Sequence, residues 1–161
     1  MKGTIFNIYI SSNAGAEIIS INEASLIPGK GIEGDRYYNG SGTFSALLKN
    51  NPSAELTLIE KEEIDKFNKE QCLNLSYSEL RRNLVTEGIR LNNLVGKTFT
   101  IGKATLKGVR LCEPCAHLAE TVNKLVIPHL IGRGGLRAQI ISTSSIRVGE
   151  QINGYEEINA D

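Results

Sequence analysis

The stretch Leu94-Val95-Gly96-Lys97-Thr98-Phe99-Thr100-Ile101-Gly102-Lys103-Ala104-Thr105-Leu106-Lys107-Gly108-Val109-Arg110 carries the pattern that decides the fold. Two runs rich in Thr, Phe, Ile, Leu and Val, Thr98 to Ile101 and Ala104 to Arg110, are joined by Ile101-Gly102-Lys103 and preceded by Val95-Gly96, as strands separated by turns should be. The same punctuation recurs along the chain, which holds 16 glycines. Further strands are expected at Thr4 to Ser11, Glu17 to Ile21, Leu56 to Ile59, Leu136 to Ser142, and Gln151 to Ile152 with its neighbours. Asn13-Ala14-Gly15 and Pro28-Gly29 supply other turns. Many short strands with turns between them predict a β-rich α/β protein built on a barrel or sandwich.

Helical periodicity is confined to three places. Glu60 to Glu70 puts Ile64 and Phe67 on one face and offers Glu62–Lys66 and Asp65–Lys69 pairs at i, i+4, so an amphipathic surface helix is expected. Ser76 and Glu79 have capping-box spacing ahead of Leu80, which predicts a second short helix. A third is expected from Pro114 to Leu125. Pro28 to Ser53 is the longest stretch without a clear element, and loops of that length in compact domains are usually functional or mobile.

The 161 residues are long enough to bury a real core and suit one domain, 1–161. With 40% hydrophobic and 22% charged residues and no low-complexity tract, the composition is that of a folded protein. No apolar run has signal-peptide or membrane-spanning length, so a cytoplasmic protein without a membrane partner is expected. The net charge of zero hides an asymmetry: Arg81 to Glu150 holds eleven Lys/Arg against four Glu, net +7, leaving seven basic and fourteen acidic residues elsewhere. That imbalance is consistent with an anion site for a phosphorylated ligand and equally with complementary surfaces inside one fold. The basic residues are scattered and have no aromatic stacking series beside them, so no nucleic-acid partner is expected.

Chemistry concentrates in Leu111-Cys112-Glu113-Pro114-Cys115-Ala116-His117. Two cysteines at CxxC spacing sit between an expected strand and an expected helix, and backbone N–H groups at a helix start favour a thiolate, the form needed by a nucleophile or a soft metal ligand. A structural zinc site would need four ligands, and Cys72, His117 and His129 supply no matching pair. A thioredoxin-like dithiol would follow the first strand of a βαβ pattern, whereas this motif lies late in a β-rich chain. Burial of one or both cysteines as small apolar side chains has equal standing on the motif alone.

Arginine forms the second constellation. Arg81-Arg82-Asn83 precedes an apolar strand-like pair, and Arg133-Gly134-Gly135-Leu136-Arg137 joins two guanidinium groups to glycines that would let backbone approach a ligand. Ion pairing with the acidic half is the commoner use of such residues. Gly34-Asp35-Arg36, inside the long loop, would orient a ligand or hold a turn through an Asx-type bond.

Taken in order, these pieces resemble the MOSC domain family, proteins like the C-terminal domain of molybdenum cofactor sulfurase, in its small stand-alone bacterial-type form. The resemblance runs from about Gly3 to Ile152 through Gly34-Asp35-Arg36, Leu80-Arg81-Arg82-Asn83-Leu84-Val85, Glu87-Gly88-Ile89, Leu94 to Gly102, Cys112 to Leu118, Gly134 to Ala138 and Ile146 to Glu150. It implies a β-barrel of mostly antiparallel strands with a few short flanking helices. It also implies that Cys115 binds molybdenum or carries sulfur, with Cys112 a neighbour. For the molybdenum cofactor, a molybdenum–molybdopterin, it implies binding by Asp35, Arg36, Arg82, Asn83, Arg133 and Arg137. Some relatives carry His-Gly-Gly after the Gly-Asp pair; here the stretch reads Tyr37-Tyr38-Asn39-Gly40-Ser41-Gly42, so His117 becomes the candidate proton donor.

The resulting expectation is an oxidoreductase that reduces N-hydroxylated or N-oxide-type small molecules at a Cys115-ligated molybdenum. Electrons would come from an external protein, since no flavin, haem or iron–sulfur motif is present. The alternatives are a carrier of molybdenum cofactor or of sulfur as a Cys115 persulfide, supplied by a donor protein, and a non-enzymatic interaction domain. No oligomeric state is assigned.

Overall fold

A computed structural model describes residues 2–154; Met1 and residues 155–161, which the single-domain expectation included, lie outside the described residues. Eleven strands are present among them: β1 (Lys2–Ile10), β2 (Ile19–Ile21), β3 (Glu23–Ile27), β4 (Gly31–Ile32), β5 (Leu56–Glu60), β6 (Leu84–Glu87), β7 (Thr98–Ile101), β8 (Ala104–Leu111), β9 (Leu136–Ile140), β10 (Ser144–Arg147) and β11 (Gln151–Gly154). Seven close a barrel in the order β11-β7-β8-β9-β5-β6-β1, with β11 pairing back to β1 and β2 added alongside β1. All barrel pairings among the described residues are antiparallel except β5 with β6, whose connection is the helix α2 below. The strands β10-β3-β4 form a small second sheet. The expected β-rich, mostly antiparallel barrel is the observed one.

Alternation along each strand explains the closure. In β9, Leu136, Ala138 and Ile140 are buried while Arg137 and Gln139 point outward. Leu56 and Leu58 of β5, Leu84 of β6, Phe99 and Ile101 of β7, and Leu106 of β8 join them in one core. Ala24, Leu26, Ile32 and Ile146 of the second sheet belong to the same core. Each fully buried aliphatic or aromatic side chain contributes roughly 1.5–3 kcal/mol.

A second apolar layer lies outside the barrel wall. The helix α2 (Lys61–Gln71) buries Ile64 and Phe67, which pack with Ile59, Leu80 and Val85 and with Leu118, Val126 and Leu130. The latter three come from α3 (Ala116–Thr121) and α4 (Val126–Leu130). The i, i+4 pairs on α2 are Lys61–Asp65 at 2.8 Å and Lys66–Glu70 at 3.9 Å rather than those expected. Glu62 instead accepts a bond from the Gly88 N–H at 2.8 Å, tying α2 to the end of β6.

Other departures have local causes. The helix expected at Ser76 is a series of turns: the Glu79 carboxylate does accept from the Ser76 N–H, but Arg81 adopts a φ of 60° and stops any continuation. Of the helix expected from Pro114 to Leu125 only α3 forms; residues 122–125 are not helical, and α4 begins beyond the expected end. The expected strand from Glu17 starts only at Ile19, and β9 ends at Ile140, where the Ser142 hydroxyl accepts from the Thr105 N–H in place of a strand partner. The long loop contains β4 and the four-residue helix α1 (Arg36–Asn39).

Candidate functional site

The segment after β8 brings the cysteine motif to the outer wall of the barrel. Cys115 caps α3: its backbone is extended (φ −123°, ψ 168°) and its Sγ accepts from the Leu118 N–H at 3.5 Å. Cys112 is buried at 1% exposure, whereas Cys115 is half-buried, and both are free thiols. The two sulfurs of the motif therefore have different surroundings, and it is Cys115 that lines a cavity of about 340 Å³.

The floor of that cavity is the outward face of three strands, carrying Thr57 of β5, Arg110 of β8 and Arg137 of β9. Arg110 and Arg137 stand directly opposite each other across the β8–β9 pair. Like charges so placed repel. Arg36, Arg81 and Arg82 complete the basic wall, and Phe44, Leu47, Leu48 and His117 form a more apolar mouth. The His117 and Phe44 rings meet edge to face with centroids 6.2 Å apart, joining the long loop to α3.

How these arginines spend their N–H groups separates them. Arg82 donates to three carbonyls, Gly134 at 3.0 Å, Leu80 at 3.3 Å and Cys112 at 3.3 Å, and so clamps the segment leading into Cys115. Arg36 donates to Asp35 and to the Arg81 carbonyl, both at 3.1 Å. Arg137 gives one bond to the Ser53 carbonyl at 3.1 Å, and Arg110 a long 3.5 Å bond to the Ser53 hydroxyl. Arg81 gives one bond to the Ala16 carbonyl at 3.3 Å, while its buried Nη2 has no partner. Burial, and then the neighbouring Arg36 guanidinium, push Arg81 below the ordinary arginine range. Its left-handed backbone is a further cost, of order 1 kcal/mol or more for a non-glycine residue.

Only Arg36 of the five has a carboxylate within 4 Å among the described residues. The one acid lining the cavity, Glu113, accepts instead from the Gly132 N–H at 3.0 and 3.1 Å. The cavity thus gathers five arginines, four of them without a carboxylate within 4 Å among the described residues, beside a half-buried thiol. No group of three or more His, Cys, Asp or Glu among the described residues is arranged to hold a metal.

Of the residues singled out in the sequence, Cys115, His117, Arg36, Arg82 and Arg137 meet at this cavity. Three do not line it. Asp35 is 1% exposed and caps α1, accepting from Ser11 N–H at 3.1 Å and Tyr37 N–H at 3.3 Å. Asn83 links three strands, accepting from the Thr57 N–H at 3.1 Å and donating to the Tyr9 carbonyl at 3.2 Å. Arg133 is ion-paired to Glu63 and Glu70 and donates to the His129 carbonyl at 3.0 Å, fastening the end of α4 to α2. Gly134 and Gly135 allow close approach of backbone to backbone rather than to a ligand: a Cβ would meet the Cys112 carbonyl oxygen at 2.5 Å and the Leu58 carbonyl oxygen at 2.0 Å, respectively. Sequence reasoning passed over Arg110 and chose Arg82 above Arg81. Alternation alone would turn Arg110 inward with Ala104, Leu106 and Gly108; the irregularity in register between Gly108 and Arg110 turns it outward and aligns it with Arg137, and the spacing does not encode that.

A family model described as the MOSC domain matches residues 47–153, more than half of the chain. No curated protein matches. Among solved structures, the YUAD protein from Bacillus subtilis is 16% identical with a TM-score of 0.80, the match covering 97% of this chain and 98% of that one. YiiM from Escherichia coli is 18% identical with a TM-score of 0.65, over 98% of this chain and 71% of that one. YiiM from Geobacillus stearothermophilus is 10% identical with a TM-score of 0.68, over 98% and 77% respectively. At these identities the structural likeness establishes the fold.

Proposed function

The chain belongs to the MOSC domain family, and from that premise we propose that it binds molybdenum cofactor in the Cys115 cavity and reduces N-hydroxylated or N-oxide-type compounds there with electrons from a separate protein. The observation that carries the reading is the pairing, in one cavity, of a half-buried thiol with arginines of which only Arg36 has a carboxylate within 4 Å among the described residues. A thiolate is a soft donor suited to molybdenum, and guanidinium groups suit a phosphate. The residues present therefore fit a metal carried on a phosphorylated pterin.

Cys115 would hold the metal, and Arg110 and Arg137, which keep N–H groups free, would hold the phosphate, with Arg81 adding positive charge to the wall. Arg36 and Arg82 act differently, since their bonds already fix α1 and the segment before Cys115. When bound, the cofactor supplies two-electron redox chemistry. His117 stands at the mouth and donates a proton to the oxygen that leaves the substrate nitrogen; hydroxylamine, two electrons and two protons give amine and water. Phe44 and Leu47 shield the apolar body of the substrate from water.

The half-exposed position of Cys115 also suits a persulfide, and sulfur or cofactor carriage is the second reading. Turnover separates them. Cofactor-loaded protein should reduce a hydroxylamine or amidoxime with an artificial electron donor, and Cys115→Ser should lose at least 99% of that rate. Loaded protein that retains cofactor without turnover, and carries persulfide on Cys115, would favour the carrier.

A further inference from the structure

Beside the Cys115 cavity, and sharing Tyr37 and Leu48 with it, lies a second cleft of about 470 Å³. It opens between the β3–β4 turn, residues 49–54 and β9, and nothing in the proposed reaction uses it. Its floor continues the outer strand face of the first. Thr57 and Arg137, paired in register, line the cavity; Glu55 and Gln139, two residues further along on each side, line the cleft.

Glu55 is the unusual group. It is 5% exposed, and its Oε1 accepts from the Gly29 N–H at 2.8 Å and the Ile140 N–H at 3.3 Å. Those bonds tie the β3–β4 turn to β9 and fix the carboxylate. Its Oε2 makes no hydrogen bond among the described residues and is not one of the sealed-off unpartnered atoms, so it faces the cleft. No lysine or arginine among the described residues lies within 4 Å of it; the Lys30 ammonium sits 5.5 Å from the centroid of the Tyr38 ring instead. Burial holds its carboxyl above the ordinary range, against the two backbone bonds that lower it.

A fixed carboxylate oxygen at the bottom of a cleft calls for N–H donors. Lys30, Lys49 and the arginines of the adjoining cavity make the surroundings positive, which disfavours a cationic ligand. A neutral amino group is the donor that fits. Tyr37, Leu48 and Pro52 give flat apolar walls, and the Asn50 and Gln139 amides can meet both donors and acceptors on a ring edge.

We propose that this cleft binds a planar, amino-substituted nitrogen heterocycle, with Glu55 Oε2 accepting the exocyclic N–H. Pterins and aminopurines share that chemistry. The proposal stands without the redox reading, because its probes carry no metal. Calorimetry on the full chain, purified from a host unable to make molybdopterin, compares two pairs that differ by an amino-to-oxo exchange: pterin with lumazine, and adenosine with inosine. The amino member of at least one pair should bind at least tenfold more tightly. Tighter binding of pterin than adenosine assigns the cleft to the ring of the cofactor, and the reverse assigns it to a separate purine. Glu55→Gln should erase or invert the amino preference, because a carboxamide can donate to a ring carbonyl. Gln139→Leu, which leaves the Glu55 bonds intact, should weaken both members of the pair several-fold and keeps the test decisive if Glu55→Gln is unstable. Absence of binding by all four probes, equal binding within both pairs, or an unchanged preference in Glu55→Gln would overturn the proposal.

Discussion

The interior of the barrel and the cavity on its outer wall are made by the same strands, β5, β8 and β9, yet they differ in how completely their groups are satisfied. Inside, Leu58, Leu106, Leu136 and Ala138 are all at 0% exposure and belong to one core. Outside, Arg110 faces Arg137 across the β8–β9 pair, and neither has a carboxylate within 4 Å among the described residues. The inward positions are what the fold requires. The outward ones cost it stability, and a protein retains such a cost where a ligand offsets it.

Four substitutions break or sharpen that contrast. Gly135→Ala has the largest expected effect, because φ is +113° and the new Cβ would lie 2.0 Å from the Leu58 carbonyl oxygen; a loss above about 3 kcal/mol in urea unfolding, or no folded protein, is expected. Leu58→Ala should cost about 2–5 kcal/mol by the same measurement, the usual range for a sealed core leucine. Arg137→Gln should change stability by less than about 0.5 kcal/mol, or raise it, because it relieves repulsion. It should nevertheless lower phosphate-dependent cofactor retention at least tenfold, read as bound pterin after gel filtration. A loss of stability comparable to that of Leu58→Ala would abolish the distinction between wall and core.

The smallest effect concerns Glu60, 7% exposed, whose carboxyl burial pushes above the ordinary range while Arg90 pulls it back. A raised folded-state value means that its stabilising contribution is present at pH below the unfolded value and is lost as pH rises through the folded one. Glu60→Gln should therefore flatten the fall in stability between acid and neutral pH by about 1 kcal/mol or less, seen in Tm against pH. A steeper fall in the variant would contradict that sign.

Elements with a periodicity of their own, or with turn residues marking their ends, were legible. β7 matches its sequence expectation at both ends, β8 extends one residue beyond its own, and α2 buries the expected Ile64 and Phe67. The strands β3, β4 and β10 were not: β4 has two residues, too few for a pattern, and β10 pairs with β3, more than a hundred residues away in the chain. The same divide holds at the site. The position of Cys115 between a strand and a helix was readable, whereas Arg133, attractive beside its glycines, is engaged by Glu63 and Glu70 from α2. Arg110 gains its significance only from register with Arg137.

Cofactor content tests the central claim most directly. Wild type, Cys115→Ser and Cys112→Ser, expressed in a host that makes molybdenum cofactor, should be compared for molybdenum by elemental analysis and for pterin by fluorescence. The account predicts molybdenum and pterin together in wild type and in Cys112→Ser, with molybdenum lost in Cys115→Ser. Equal molybdenum in all three, or none in wild type, would contradict it.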